Sequence, residues 1–380
     1  MTATPPPLAG TRVVHLASLG PGPYTAMLLA DLGAEVTIID RTREMLVSVA
    51  QERDPRRRGQ RSIALDLKLP AARAIALDLI GRADVLIEGM RPGAVERLGL
   101  GPQPCLERNP GLIYARVTGW GQSGPLAQRA GHDINYIALS GALHAMGRAD
   151  QPPPVPLNLL GDYAGGGAFV ALGILAALLE RGRSGQGQVL DGAIIDGVAS
   201  LNAATMGILA AGGWGPRGSN VFDGAAPWYR TYATRDGGFV AVGAIEPEFY
   251  RQLLDGLGLD AARWPQHERA LWHAMADAFA AIFASRDRDD WTRAFAATDA
   301  CVSPVLDFGE AQRDAHHQAR QTFIEVAGVA QPAPLPRLDR SPPNRPGPPP
   351  GRGDQTDAVL RELGHDDDTI NRLRAQGAIA

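Results

Sequence analysis

Asp162 stands in Leu157-Asn158-Leu159-Leu160-Gly161-Asp162-Tyr163-Ala164-Gly165-Gly166-Gly167, directly before a glycine cluster and a long apolar run. A carboxylate at the start of a helix has free backbone N–H groups and a positive dipole end beside it, a setting suited to an acid/base group. Upstream, Gly131-His132-Asp133-Ile134-Asn135-Tyr136 puts a histidine in an otherwise apolar, glycine-rich stretch. Histidine is the commonest acid/base side chain near neutral pH. Two proton-transfer groups of different type, each flanked by glycine, point to an enzyme that moves protons on carbon. Ordinary structural roles also fit both. Aspartate is a favoured N-cap, here for a helix expected over residues 163–179, and a histidine in apolar surroundings is commonly a packed core residue. Asp133 and Asn135 would either orient an imidazole or cap a helix. A further carboxylate, Glu246, lies at a strand-to-helix junction in Ala244-Ile245-Glu246-Pro247-Glu248-Phe249, where Pro247 suits a first helical turn. A solvated glutamate at a helix start has the same appearance.

The elements that must position these groups alternate in type. Short apolar strands are expected at residues 12–17, 35–40, 62–65, 84–88, 112–117 and 188–191, with helical patterns such as 26–32 and 71–80 between them. That alternation predicts an α/β, Rossmann-like doubly wound domain with a mostly parallel sheet. Ligands in such folds collect at the carboxyl ends of strands. Those ends carry residues 18–22, Asp40-Arg41, Gly89-Met90-Arg91 and Gly119-Trp120-Gly121. Composition shifts after Asp196, and stretches 228–233 and 238–243 flank Arg235-Asp236-Gly237, a hairpin signal. The expected division is a large domain over residues 1–195, a linker over 196–224 and a smaller α+β domain over 225–305. Residues 306–380 form a return segment and proline-rich tail on the large domain.

Several function classes are disfavoured. Lys and Arg total 37 against 41 Asp and Glu, with no basic block, so no nucleic-acid partner is indicated. Lys68 is the sole lysine, and any other cationic contact to phosphate must come from arginine. Cys105 and Cys301 are far apart and suggest neither a disulfide framework nor a zinc site. Cys105 has no context that would make it a nucleophile. His15, His144 and the pair His316-His317 carry no ligand spacing. Gly20-Pro21-Gly22-Pro23, with Asp40 ending the next strand, imitates a dinucleotide fingerprint, but the prolines remove needed N–H donors and Thr25 replaces the third glycine. A tight strand-to-helix turn is the better reading. The N-terminus lacks signal-peptide character, and the apolar run over 165–179 is shorter than the ~20 residues of a membrane span. A cytoplasmic protein without membrane association is expected.

Together these segments resemble the α-methylacyl-CoA racemases of the family III CoA-transferase superfamily. The resemblance runs from Val13-Val14-His15-Leu16-Ala17 to the tail and is strongest in the three motifs above, in Gly185-Gln186-Gly187-Gln188-Val189-Leu190-Asp191 and in Asp299-Ala300-Cys301-Val302-Ser303-Pro304-Val305. It implies that His132, Asp162 and Glu246 are catalytic. It implies a CoA strip at Arg41, Leu65, Asp66, Leu67, Lys68, Gly89, Met90, Arg91 and Arg97. Gly131, Asp133, Ile134, Asn135, Tyr136, Gly161, Tyr163, Ala164, Gly165 and Gly166 would complete the substrate site. It further implies the family III CoA-transferase fold, an interlocked homodimer, and no metal or redox cofactor, the CoA thioester being the substrate. The reaction would interconvert (2R)- and (2S)-2-methylacyl-CoA through an enolate, with the thioester carbonyl at the N-terminus of the helix after Asp162. Two other readings stay open: a CoA-transferase with Asp162 as nucleophile, and a non-catalytic acyl-CoA-binding protein.

Overall fold

The computed structural model describes residues 4–43 and 49–380. Contacts divide the chain into two compact units, one of Met1–Ser140, Pro156–Leu201 and Gln321–Ala380, the other of Gly141–Val155 and Asn202–Arg320.

The first unit is built on β1 (Arg12–Leu16), β2 (Glu35–Asp40), β3 (Arg61–Ala64), β4 (Val85–Glu88), β5 (Ile113–Thr118) and β6 (Gln188–Ala193), in the order β3-β2-β1-β4-β5-β6. Every neighbouring pair is parallel, with Val13 opposite both Val36 and Val85. The six expected strands are all present, shifted by at most two residues at either end. The interior strands are apolar without interruption, as in Val85-Leu86-Ile87, because both faces of a parallel sheet are covered. Alternate side chains divide between two layers. Val14, Leu16 and Leu86 pack with α2 (Pro70–Gly81), the short α3 (Ala94–Arg97) and α4 (Pro102–Arg108). Val13, Val36 and Ile87 pack with α1 (Pro21–Asp31) and with α6 (Phe169–Ser184), which follows α5 (Asp133–Leu139). α7 (Ile194–Leu201) follows β6.

The second unit contains α8 (Ala203–Ala210), a three-stranded antiparallel sheet of β7 (Tyr229–Ala233), β8 (Phe239–Gly243) and β9 (Val302–Pro304), and the helices α9 (Pro247–Leu257), α10 (Trp272–Phe283), α11 (Arg288–Phe295), α12 (Phe308–Arg313) and α13 (Ala315–Arg320). The hairpin signal at Arg235-Asp236-Gly237 is the β7–β8 turn. Trp228, Tyr232, Phe279, Phe283 and Trp291 supply its core. This unit differs in extent from the expected 225–305: it takes in the excursion 141–155, residues 202–224 of the expected linker, and residues 306–320, which were expected to return to the large domain. Arg217 explains part of that, since its guanidinium donates to the carbonyls of Arg148 and Gln151, both at 3.0 Å.

The last sixty residues, Gln321–Ala380, return to the first unit. They form the hairpin β10 (Phe323–Val326) and β11 (Val329–Pro332), then α14 (Thr356–Glu362) and α15 (Asp367–Ala375), whose Leu360, Ile370 and Leu373 join the core beneath β3. The fully buried Arg58 pairs with Asp31 at 2.5 Å and donates to the Pro332 carbonyl at 2.6 Å, tying this segment to α1. Leu159–Ser184 forms one helical stretch of 26 residues, long and apolar enough by composition to cross a membrane, whereas the expected apolar run was too short. Its Val170, Ile174 and Ala177 pack on the sheet as a core helix does.

Candidate active site

The strand order reverses between β1 and β4, and the loops that leave their carboxyl ends touch: a Cβ on Gly89 would lie 3.1 Å from Cβ of Ser18. Such a reversal opens a crevice for ligands. From Ser18 the chain passes through Gly20, at φ +66°, into α1, opened by Pro21 as the sequence suggests. A Cβ on Gly20 would stand 3.1 Å from Oδ2 of Asp162. The turn that imitates a dinucleotide site therefore makes room for the candidate acid/base carboxylate.

Asp162 is not an N-cap, contrary to expectation. Leu159–Ala168 is a wide π-helical turn that runs directly into α6, and Asp162 is its fourth residue. The cause lies outside the segment. The Asp162 N–H donates to Oδ2 of buried Asp133 at 2.6 Å, and Gly161 sits so close that a Cβ there would be 2.4 Å from the same oxygen. Gly165 and Gly166 pack against Val198 and Ile194 of α7, and Gly167 against Tyr24 of α1. Glycines on three sides let α1, α5 and α7 close around a coil that ordinary side chains would hold apart. Wide turns of this kind are rare and recur at functional sites. Because Asp133 takes the Asp162 N–H, that N–H is not available as an oxyanion donor.

Burial raises the Asp162 pKa above the ordinary carboxylate value. The Asn158 amide, 3.4 Å from Oδ2, opposes this, the Asp133 charge adds to it, and His132 and Arg56 favour the ionised form. His132 is exposed at the N-cap of α5, and its backbone N–H donates to Oδ1 of Asn135 at 3.0 Å. The His132 and Asn135 side chains together form a capping box at the start of α5, so the imidazole is exposed and held at a fixed place. The next N–H groups of α5, at Asp133 and Ile134, have no acceptor within their own helix. Tyr136 packs edge-on against Trp120 at 4.7 Å, and its hydroxyl donates to the Gly131 carbonyl. Burial and Asp162 both raise the Tyr136 pKa while Arg91 opposes them, so these three groups share one electrostatic neighbourhood.

The expected strip lies on the same carboxyl edge. Lys68, Arg91 and Arg97 are exposed and form no ion pair among the described residues; Arg41 follows β2 and is exposed too. Leu65 is a core residue whose N–H bonds to the Asp40 carbonyl, and Asp66 caps the Lys68 N–H at 3.1 Å, so both support the strip from within. Gly161, Gly165, Gly166, Asp133 and Tyr136 are likewise buried framework. Ile134, Asn135, Tyr163 and Ala164 remain at least partly exposed around His132 and Asp162.

Glu246 belongs to the second unit. It is exposed at the N-cap of α9 and lies beside Cys301, whose pKa is raised by burial and by the Glu246 charge. His15 is a core residue: burial lowers its pKa to about 4, and Nε2 contacts Oγ of Ser18 at 3.1 Å. Among the described residues no group of three or more His, Cys, Asp or Glu could hold a metal ion.

Four neighbours were not singled out as site residues from sequence: Gly20, Asn158, Trp120 and Arg56. Asn158 carried a signal, its four-residue spacing from Asp162. Arg56 did not, because its place depends on a bidentate pair with Asp54 at 2.7–2.9 Å and on Tyr163, distant in the chain.

The doubly wound fold, with Asp162 and His132 on the strand-end edge where such folds bind their ligands, is that of an α/β enzyme. The chain belongs to CoA-transferase family III, whose pattern matches residues 8–356. It is 46% identical over 376 residues to the α-methylacyl-CoA racemase of Mus musculus, covering 97% of this chain and 96% of that protein. Identity to the Homo sapiens α-methylacyl-CoA racemase is 44% over 386 residues, covering 98% and 97%. The crystal structure of a CAIB/BAIF family protein from Brucella suis superimposes with a TM-score of 0.81 at 26% identity, covering 95% of this chain and 100% of that one.

Proposed function

We propose that this enzyme interconverts the (2R) and (2S) forms of 2-methylacyl-CoA thioesters. The observation that carries the reading is the electrostatic neighbourhood shared by Asp162 and His132, two acid/base groups of different type, beside a strip of exposed cations. Asp162, as carboxylate, takes the α-proton from one face, and imidazolium at His132 returns a proton to the other; the reverse direction exchanges the roles. The enolate oxygen is served by the opening N–H groups of α5, at Asp133 and Ile134, rather than by the coil at Asp162. Losing one such donor typically costs about 3 kcal/mol. Arg41, Lys68, Arg91 and Arg97 hold the CoA phosphates. The proton transfers use only these side chains, so no metal or redox cofactor enters. Incubating the enzyme with one 2-methylacyl-CoA enantiomer in D₂O, with no carboxylic acid acceptor, should place deuterium at the α-carbon and invert configuration. The family also contains transferases, and turnover that appears only when an acceptor acid is added would reassign Asp162 as a nucleophile.

The same reading makes the enzyme a cytoplasmic homodimer, with Glu246 of one copy assisting His132 of the other. Its support is exposed apolar surface within each unit: Leu172 and Leu179 on α6 of the first, and Met206 and Leu209 on α8 of the second, are each more than half exposed. Sedimentation should show a dimer at every concentration that is active; a fully active monomer would remove the shared site.

A further inference from the structure

Glu88 ends β4 and is 1% exposed, with no part in the proton transfers. Its Oε2 accepts the Met90 N–H at 2.8 Å, which fixes the Gly89-Met90-Arg91 loop from below. Its Oε1 faces Nε of Arg116 at 3.5 Å, and Arg116 is itself 8% exposed on β5. The other arms of Arg116 bind Glu96 and, at 2.6 Å, Oε1 of Gln122. Glu96 lies on α3, directly before Arg97. The buried Glu88–Arg116 pair thus holds the Met90 backbone before Arg91 and, through the more exposed Glu96, the helix that carries Arg97.

We infer that Glu88, through Met90 and Arg116, is a positioning residue that holds Arg91 and Arg97 in register for the phosphates of the acyl-CoA substrate. The inference rests on the strip being the CoA site. Removing Glu88 leaves the Met90 N–H without its acceptor and the buried Arg116 with only the exposed Glu96 as counter-charge, which loosens the network on its inner side. Burial pushes the Glu88 carboxyl up to about 7; the Met90 N–H and the Arg116 charge oppose that rise, and Glu96 adds to it. Tyr114, whose ring lies under Arg116, is the other titratable group facing it from β5. Near neutral pH, therefore, the ionised form is the one that grips Met90 most tightly, since a charged acceptor makes the stronger bond.

The test compares two substrates, a 2-methylacyl-CoA and the same acyl group on pantetheine, which lacks the nucleotide phosphates. In Glu88→Leu the KM for acyl-CoA should rise about tenfold with kcat within about threefold, because phosphate contacts stabilise ground and transition states alike. The pantetheine thioester should be turned over as in the wild type. Glu88→Gln, which keeps an acceptor for Met90 and serves if the leucine variant does not fold, should raise KM by a smaller factor. Wild-type KM for acyl-CoA should climb as pH falls through about 7 more steeply than in Glu88→Gln, whose side chain does not titrate. An unchanged KM, an equal loss of kcat on both substrates, or identical pH profiles would overturn the inference. Equal KM values of the wild type for the two substrates would overturn the CoA strip itself, and this role of Glu88 with it.

Discussion

Asp162→Asn should lower the rate of racemisation by about 10³-fold or more while leaving the KM for acyl-CoA within about tenfold. The amide is nearly isosteric, and the backbone that carries it is held independently by the Asp133 carboxylate and the glycines that face α1 and α7. Loss of fold is therefore not the expected result. Only the ability to take and return a proton disappears. The loss should also be one-sided. With His132 intact, one enantiomer of the substrate should still exchange its α-proton with D₂O, without inversion, while the other exchanges no faster than in buffer. The pH profile adds a second signature. Asp162 acts as a base when ionised, and burial raises its pKa, so the acidic limb of wild-type kcat/KM should lie above the ordinary carboxylate range, with activity rising as pH rises through it. In Asp162→Asn that limb should vanish from the residual exchange. Racemisation near the wild-type rate would return Asp162 to a structural role.

The parts of this protein legible in its sequence are those set by local pattern. Six parallel strands could be read because interior strands such as Val85-Leu86-Ile87 are continuous apolar runs bounded by polar or glycine turns. The β7–β8 hairpin could be read because Arg235-Asp236-Gly237 is turn chemistry between two strand-like stretches. His132 and Asp162 stood out by residue type and glycine setting. What could not be read depends on contacts distant in sequence. The wide coil at Leu159–Ala168 exists because a carboxylate 29 residues upstream bonds the Asp162 N–H and because α7, which follows it, packs against Gly165. A local rule gives an N-cap there, and tertiary packing overrides it. Gly20 read as part of a tight strand-to-helix turn, and only the fold reveals that its missing side chain clears Asp162. The excursion 141–155 reads as a loop of the large domain until Arg217, far along the chain, is seen to bind its carbonyls. Leu65 shows another limit of local pattern: it lies within a motif tied to ligand binding, and only the fold shows that its side chain is core.

His132→Ala tests the partner group, and here exposure makes the outcome unambiguous. The imidazole is not packed in the core, and of the two halves of the α5 capping box alanine retains the bond from the backbone N–H of residue 132 to Asn135 and loses only the one made by the His132 side chain. The variant should fold with an unchanged circular dichroism spectrum and bind acyl-CoA within about tenfold of the wild type, since the proposed phosphate contacts at Arg41, Lys68, Arg91 and Arg97 do not involve His132. Racemisation should nevertheless fall by roughly 10²–10⁴-fold, the usual contribution of one acid/base group. Asp162 remains in place, so deuterium should still wash into the enantiomer that it deprotonates, the mirror image of the pattern in Asp162→Asn. Two half-reactions, each surviving in the variant that lacks the other group, are the signature of a two-group mechanism. A nucleophilic Asp162 would give a different pattern: loss of all activity in Asp162→Asn and no enantiomer-specific exchange in either variant. Near-normal racemisation by His132→Ala would remove the imidazole from the reaction and leave Asp162 to act alone.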